Sequence, residues 1–155
     1  MSDIYAENMR RNESESRRLH EQFDLLSRNI GYLIHPSIAA KLPPSLTIAD
    51  IGTGTGLFLS QLAQEYPDAI LHGFDISPKL FPPQESLSPQ VSLSVLNIKE
   101  TPPPFTHNKY DLIHIRPLAT GINPTEWKPI VQNLLKLLKP GGAIQWEEYN
   151  WMETQ

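Results

Sequence analysis

The residues best placed to do chemistry are Asp50, Gly52, Gly54 and Gly56 in the run IADIGTGTG, joined by a second acid, Asp75, further along the chain. The run sits where a short β-branched segment hands over to a helical pattern, so its glycines occupy a strand-to-helix turn. One glycine there lets the chain turn sharply, another lets backbone approach a ligand, and a third lets helix and strand pack closely. The free N–H groups and partial positive charge at the start of the following helix suit a carboxylate. Asp50 has the opposite preference: a carboxylate at a strand end repels a diphosphate and favours an ammonium or a sulfonium. A dinucleotide loop reads G-x-G-x-x-G, but its third glycine would fall on Leu57 counted from Gly52, or on Leu59 counted from Gly54. NAD is therefore the poorer fit. Asp75 ends a second apolar run about 20 residues on, where an acid can accept from ribose hydroxyls; by itself it would read as a turn former.

Five short runs must position these groups as strands: LTIADI (46–51), AILHGFD (69–75), VSLSVL (91–96), YDLIHI (110–115) and AIQWEE (143–148). Between them lie a helix, LFLSQLAQEY, ended by Pro67, and another with Trp127, Val131, Leu134 and Leu138 on one face, stopped by Lys139-Pro140-Gly141-Gly142. Strands alternating with helices give an α/β fold with a parallel sheet and right-handed crossovers. The link ISPKLFPPQESLSPQ holds too many prolines for a full helix and predicts an irregular turn. Ahead of all this, Leu19, Phe23, Leu26, Ile30 and Leu33 mark one face of a helix over 13–34, with Arg17, Arg18, Glu21, Asp24 and Arg28 outside. That pattern fits a solvated helix packing on the domain, or a cap over a ligand pocket. Pro43-Pro44 ends the arm, which divides the chain into an arm, 1–44, and an α/β domain, 45–155.

A chain of 155 residues fits one compact unit of this kind. Its net charge of −4 argues against a phosphate backbone as partner, and the absence of cysteine excludes disulfides and thiolate–metal sites. The opening MSDIYAENMRRNESESRR lacks the apolar core of a signal peptide, and no run approaches about 18 apolar residues. The expectation is a soluble protein of the cytoplasm, or of the nucleus, with no membrane contact.

The segments IADIGTGTG, FDIS, YDLIHIRPL and LLKLLKPGGAIQWEE together resemble the class I S-adenosylmethionine-dependent methyltransferases. HIR after the fourth strand and LLKPGG-x-x-QWEE are similar to the methyltransferases of fungal secondary-metabolite clusters and their regulator-like relatives. The resemblance covers about residues 15–150 and implies a Rossmann-like sheet of strand order 3-2-1-4-5 with S-adenosylmethionine as cofactor. It implies that Gly52, Gly54 and Gly56, beside Asp50, bracket the methionine part, that Asp75 holds the ribose, and that Ile76 packs on the adenine. Asn97 stands where an acid usually accepts from the adenine amino group, and its amide oxygen can still accept, without charge. Ile98 would contribute its backbone N–H. Arg116 falls where the carboxyl ends of parallel strands meet the ligand crevice, its alternative being a surface arginine paired with an acid.

Methyl transfer from a sulfonium is chemistry the cofactor carries, so the protein mainly aligns and excludes water. Methylation at pyrimidine C5 needs a cysteine nucleophile, and base-amino methylation usually uses Asn/Asp-Pro-Pro-aromatic, where this chain has Ile115-Arg116-Pro117-Leu118. Nucleic acid is thus not the expected substrate, and a small molecule methylated on oxygen or nitrogen is. His114 reads as a satisfied core histidine or as a general base, the former preferred in an apolar strand; Glu147 and Glu148 read equally as a polar rim. No catalytic base is assigned. The resembled fold adds an antiparallel hairpin after strand five, and the expectation here is a sheet without it. A pocket completed by a partner chain and a truncated, non-catalytic binding or regulatory domain both follow as readings. Gly142–Trp151, with Ile144, Trp146, Tyr149 and Trp151, would then present an apolar edge that self-associates or takes a partner protein, against the modest protection of the two glutamates.

Overall fold

Short apolar runs cannot satisfy their own backbone groups, and in the computed structural model, which describes residues 13–148, they do so by pairing into one sheet. The strands are β1 (Thr47–Ile51), β2 (Ile70–Asp75), β3 (Val91–Val95), β4 (Tyr110–Ile115) and β5 (Leu138–Trp146). They pair in parallel in the order β3-β2-β1-β4-β5, as expected. The order reverses between β1 and β4, which opens a crevice at the carboxyl ends of the strands. Between β2 and β3 the proline-rich link makes two 3-10 turns, Pro78–Leu80 and Gln84–Ser86, in place of a helix.

Alternation assigns the two faces. Ile48, Leu71 and Leu112 pack with Leu59 and Leu62 of helix α3 (Leu57–Glu65) and with Leu33 and Ile34. Ala49, Ile51, Ile113 and Ile115 pack instead with helix α4 (Trp127–Leu137). Asp50, two residues past Ile48, therefore falls on the α3 face, and so does its register partner His114.

Three details depart from the sequence reading. Helix α1 spans Glu13–Ile30 and stops short of 34, because Gly31 takes φ +81° and closes it with an N–H to Ser27 C=O bond. Leu33 is buried as its periodicity required, but in the chain that follows, ahead of the single turn α2 (Pro36–Ala39). On α4 the buried stripe is Ile130, Asn133, Leu134 and Leu137, while Val131 is 40% exposed. Asn133 can face inward because its amide donates to the Ile98 and Glu100 carbonyls. Finally, Lys139-Pro140-Gly141-Gly142 is no mere stop. β5 already begins at Leu138, opposite Tyr110, and the four residues bulge out before pairing resumes at Leu112 and Ala143. Gly141 has φ +81° there, and a Cβ on Gly142 would lie 2.9 Å from Leu138.

Among the described residues β5 pairs only with β4. Its Trp146 ring stacks on Trp127 at 5.2 Å; Tyr149 and Trp151 lie outside the described residues. Among those residues no helix is long and apolar enough to cross a membrane.

Candidate functional site

The glycine turn after β1 is built from left-handed backbone, with φ +75° at Gly52, +58° at Gly54 and +76° at Gly56. A side chain at any of them would strain the turn. The turn is stitched to the end of β2: Gly52 and Thr53 N–H both donate to Phe74 C=O, at 2.8 and 3.0 Å. Gly54 N–H donates to Asp75 Oδ2 at 2.9 Å and Ser77 N–H to Asp75 Oδ1 at 3.3 Å, which fixes the carboxylate at the crevice. Gly73, which the sequence reading passed over, lets this happen, because a Cβ there would come within 2.7 Å of the Thr53 hydroxyl.

Two clefts meet at this point. One lies between the glycine turn and α1, with Asp50, Gly54, Phe58, His114 and Arg116 on one side and Leu19 and Phe23 on the other. The other is more apolar and is walled by Ile76, Leu96, Asn97, Ile98, Leu118 and Ile122. Gly52, Asp75 and Pro117 belong to both. Of the residues assigned to the cofactor from sequence, Gly56 alone lines neither cleft, and neither do Glu147 and Glu148; a Cβ on Gly56 would meet Leu93 of β3 at 3.2 Å, so it serves turn and packing. Asn97 folds on itself, its Oδ1 accepting from Lys99 N–H at 3.1 Å and its amide donating to Glu100.

Beneath the first cleft lies a buried ionic cluster. His114 Nδ1 pairs with Asp50 Oδ1 at 2.7 Å, the Thr53 hydroxyl donates to Asp50 Oδ2 at 2.7 Å, and the imidazole stacks flat on Phe58 at 3.6 Å. Burial pulls the His114 pKa down, but the hydrogen bond to Asp50 and the nearby carboxylates of Asp50 and Glu147 outweigh it and raise the pKa overall. The shift favours the protonated ring beside Asp50, and Nε2 is buried with no hydrogen-bond partner among the described residues. Burial also opposes ionisation of Glu147, yet His114 and Arg116 bring its pKa down to about 2. Arg116 donates from Nε to Glu147 and from Nη1 to Ser27 Oγ at 3.1 Å, and its guanidinium lies 5.3 Å over the Phe23 ring. Its Nη2 is buried with no hydrogen-bond partner among the described residues.

Glu147 is no rim residue, whereas Glu148 is exposed at the strand end, as a polar rim would be. Glu147 is half-buried in this cluster, and Glu148 accepts from Leu118 and Ala119 N–H at 2.8 and 2.9 Å, holding the wall of the second cleft. Gln145 was missed from sequence, as were His20, Ser27 and Phe58. Its amide donates to Leu33 C=O at 2.9 Å and accepts from His35 N–H at 2.8 Å, tying the arm to β5. Parity offered a signal: 114 and 116, like 145 and 147, share a face, and of these Arg116 and Gln145 reach the arm.

Residues 48–142 match the family described as "Methyltransferase domain". The chain is 37% identical to the N-methyltransferase sirN of Leptosphaeria maculans, over 86% of this chain and 46% of that protein. It is 37% identical to the methyltransferase grgD of a Penicillium species, over 88% and 50% respectively, and 31% identical to the N-methyltransferase gliN of Aspergillus fumigatus, over 88% and 48%. The chain thus spans about half the length of the curated relatives it matches. In fold it is similar to a putative S-adenosylmethionine-dependent methyltransferase of Methanococcus maripaludis, with a TM-score of 0.68 at 19% identity over 96% of this chain and 67% of that one. The CMeT domain of the citrinin polyketide synthase gives 0.59 at 19% identity, over 70% and 31%. The chain belongs to the class I S-adenosylmethionine-dependent methyltransferase family.

Proposed function

We propose that this chain binds S-adenosylmethionine across the two joined clefts and directs its methyl group to nitrogen or oxygen of a small molecule of secondary metabolism. The observation that carries the reading is the pair of clefts meeting at Gly52 and Asp75, on the carboxyl edge of the sheet where strand order reverses. A polar, ionic cleft on one side and an apolar one on the other suit the amino-acid and adenine ends of one ligand. Asp75, between them, is the ribose acceptor. Gly52 and Gly54 give the amino-acid end its backbone wall, Asp50 the negative charge beside a sulfonium or ammonium, and Arg116 Nη2 a buried donor. Gly56 sets the turn behind them. Ile76 and Ile98 sandwich the base, with the Ile98 N–H and the second lone pair of Asn97 Oδ1 as its polar contacts.

The bound cofactor supplies an electrophilic methyl on sulfur; the residues around it bind, orient and exclude water. His114, buried and bound through Nδ1 to Asp50, is a positioning residue in this reading. An acceptor nitrogen that is already neutral needs no general base, and the names of the relatives, N-methyltransferases among them, favour nitrogen. The same reading keeps residues 1–44 as an arm on a 45–155 cofactor domain, in a cytoplasmic protein without a nucleic-acid or membrane partner. The outer edge of β5 is then where a partner or a second copy would add. Labelled S-adenosylmethionine incubated with the chain and fractionated fungal extract tests the reading. Label should enter the small-molecule fraction. Label found only in nucleic acid or protein would overturn it.

A further inference from the structure

Helix α1 is attached to the domain unevenly. Past its end, Leu33 and Ile34 are buried in the core, and Gln145 bonds the backbone of both Leu33 and His35. Along α1 itself no described side chain is fully buried. It meets the domain through side chains: His20 Nε2 lies 2.8 Å from Thr55 Oγ1, Phe23 packs edge-on to Phe58, and Ser27 accepts from Arg116. Between the fixed and the lighter part stands Gly31, at φ +81°, with no atom within 4 Å of where a Cβ would sit. A helix-terminal glycine with free space around it is a natural pivot. α1 also walls the polar cleft, through Leu19, His20, Gln22 and Phe23.

Arg116 joins the helix to that cleft. Its side chain is 3% exposed and spends Nε on Glu147 and Nη1 on Ser27, while Nη2, with no partner among the described residues, belongs to a residue lining the cleft. We propose that α1 is a lid hinged at Gly31, and that Arg116 couples its closure to a ligand carboxylate. This rests on the cofactor reading above, the carboxylate being that of the amino-acid end. An oxyanion on Nη2 fixes the plane of the guanidinium, and the same plane presents Nη1 to Ser27 on the lid. Ligand and lid thus favour each other, by the same factor in either direction.

Hydrogen exchange of the α1 amides tests this, with binding followed separately by calorimetry. The probes are S-adenosylhomocysteine, which keeps the carboxylate, and 5′-methylthioadenosine, which has the nucleoside without it. At saturation, S-adenosylhomocysteine should slow α1 exchange by about fivefold or more and methylthioadenosine should not. Ser27→Ala should abolish the slowing and speed release of S-adenosylhomocysteine by about fivefold, leaving methylthioadenosine release unchanged, with Ser27→Thr restoring both effects. S-adenosylhomocysteine that binds while α1 exchange stays constant, or equal slowing by the two compounds, would overturn the lid alone. No binding of either compound would overturn the cofactor reading and the lid with it.

Discussion

The ends of β1–β2 and of β4–β5 face the same crevice, yet they are built differently. At β1–β2 backbone does most of the shaping, and left-handed glycines hold the turn against the Asp75 carboxylate. At β4–β5 side chains form a dense network, His114, Arg116, Gln145, Glu147 and Glu148, which Asp50 of the neighbouring β1 joins through His114. On the proposed reading, the first end is shaped around a ligand. The other is a clasp that ties the sheet ends to one another and, through Gln145 and Arg116, holds the N-terminal arm. Substitutions at the two ends should therefore part stability from binding.

The largest effect belongs to the clasp. His114→Leu leaves Asp50 without its buried partner and Glu147 with one cation fewer, a change that costs about 3–5 kcal/mol. Chemical denaturation should show a loss of that size, and one near zero would mean that the cluster is not clasping anything. Gly54→Val should act in the opposite way, keeping a folded circular dichroism spectrum while abolishing cofactor binding. A β-branched residue at φ +58° adds about 1–3 kcal/mol of strain to the turn and puts methyls on the cleft wall. Retained binding would show that the turn faces elsewhere. Asp75→Ala should weaken binding of S-adenosylhomocysteine by about 1–3 kcal/mol through lost hydrogen bonds to the ribose. Its midpoint of unfolding should fall by less than that of His114→Leu, and a reversed order would erase the distinction between the two ends.

The smallest effect is in pH. Glu147 has its pKa lowered in the fold, so its contribution is present above about 4.5, the ordinary value, and is lost as pH falls toward about 2. His114 has its pKa raised, so its contribution is present below the ordinary 6.5 and is lost as pH rises through the raised value. Wild-type stability should decline on both sides, and His114→Leu should lose the alkaline decline. An unchanged alkaline limb in that variant would put the titration on another group.

The two ends also differed in how far they could be read from sequence. The glycine turn is local, and spacing alone separated G-x-G-x-G from a dinucleotide loop and placed Asp75 at a strand end. The strands were legible too, each as a short apolar run bounded by turn residues, while their order came from the family resemblance. The clasp joins residues far apart in the chain, 50 with 114, 116 with 147, 35 with 145, and no spacing rule pairs them. His114 could be read as a core histidine, but its partners could not. Pro140-Gly141-Gly142 misled because the same residues that stop a helix also build a bulge, and the difference lies in what β4 offers alongside. On α4, Trp127 stacks on Trp146 and Asn133 turns inward to two carbonyls, so the most apolar stripe is not the buried one.

Calorimetric titration of the chain with S-adenosylhomocysteine, run beside NAD, tests the joined clefts most directly. Saturable one-to-one binding of S-adenosylhomocysteine, weakened in Asp75→Ala, with no heat from NAD, is the expected result. Binding of NAD in preference, or S-adenosylhomocysteine binding that Asp75→Ala leaves untouched, would contradict it.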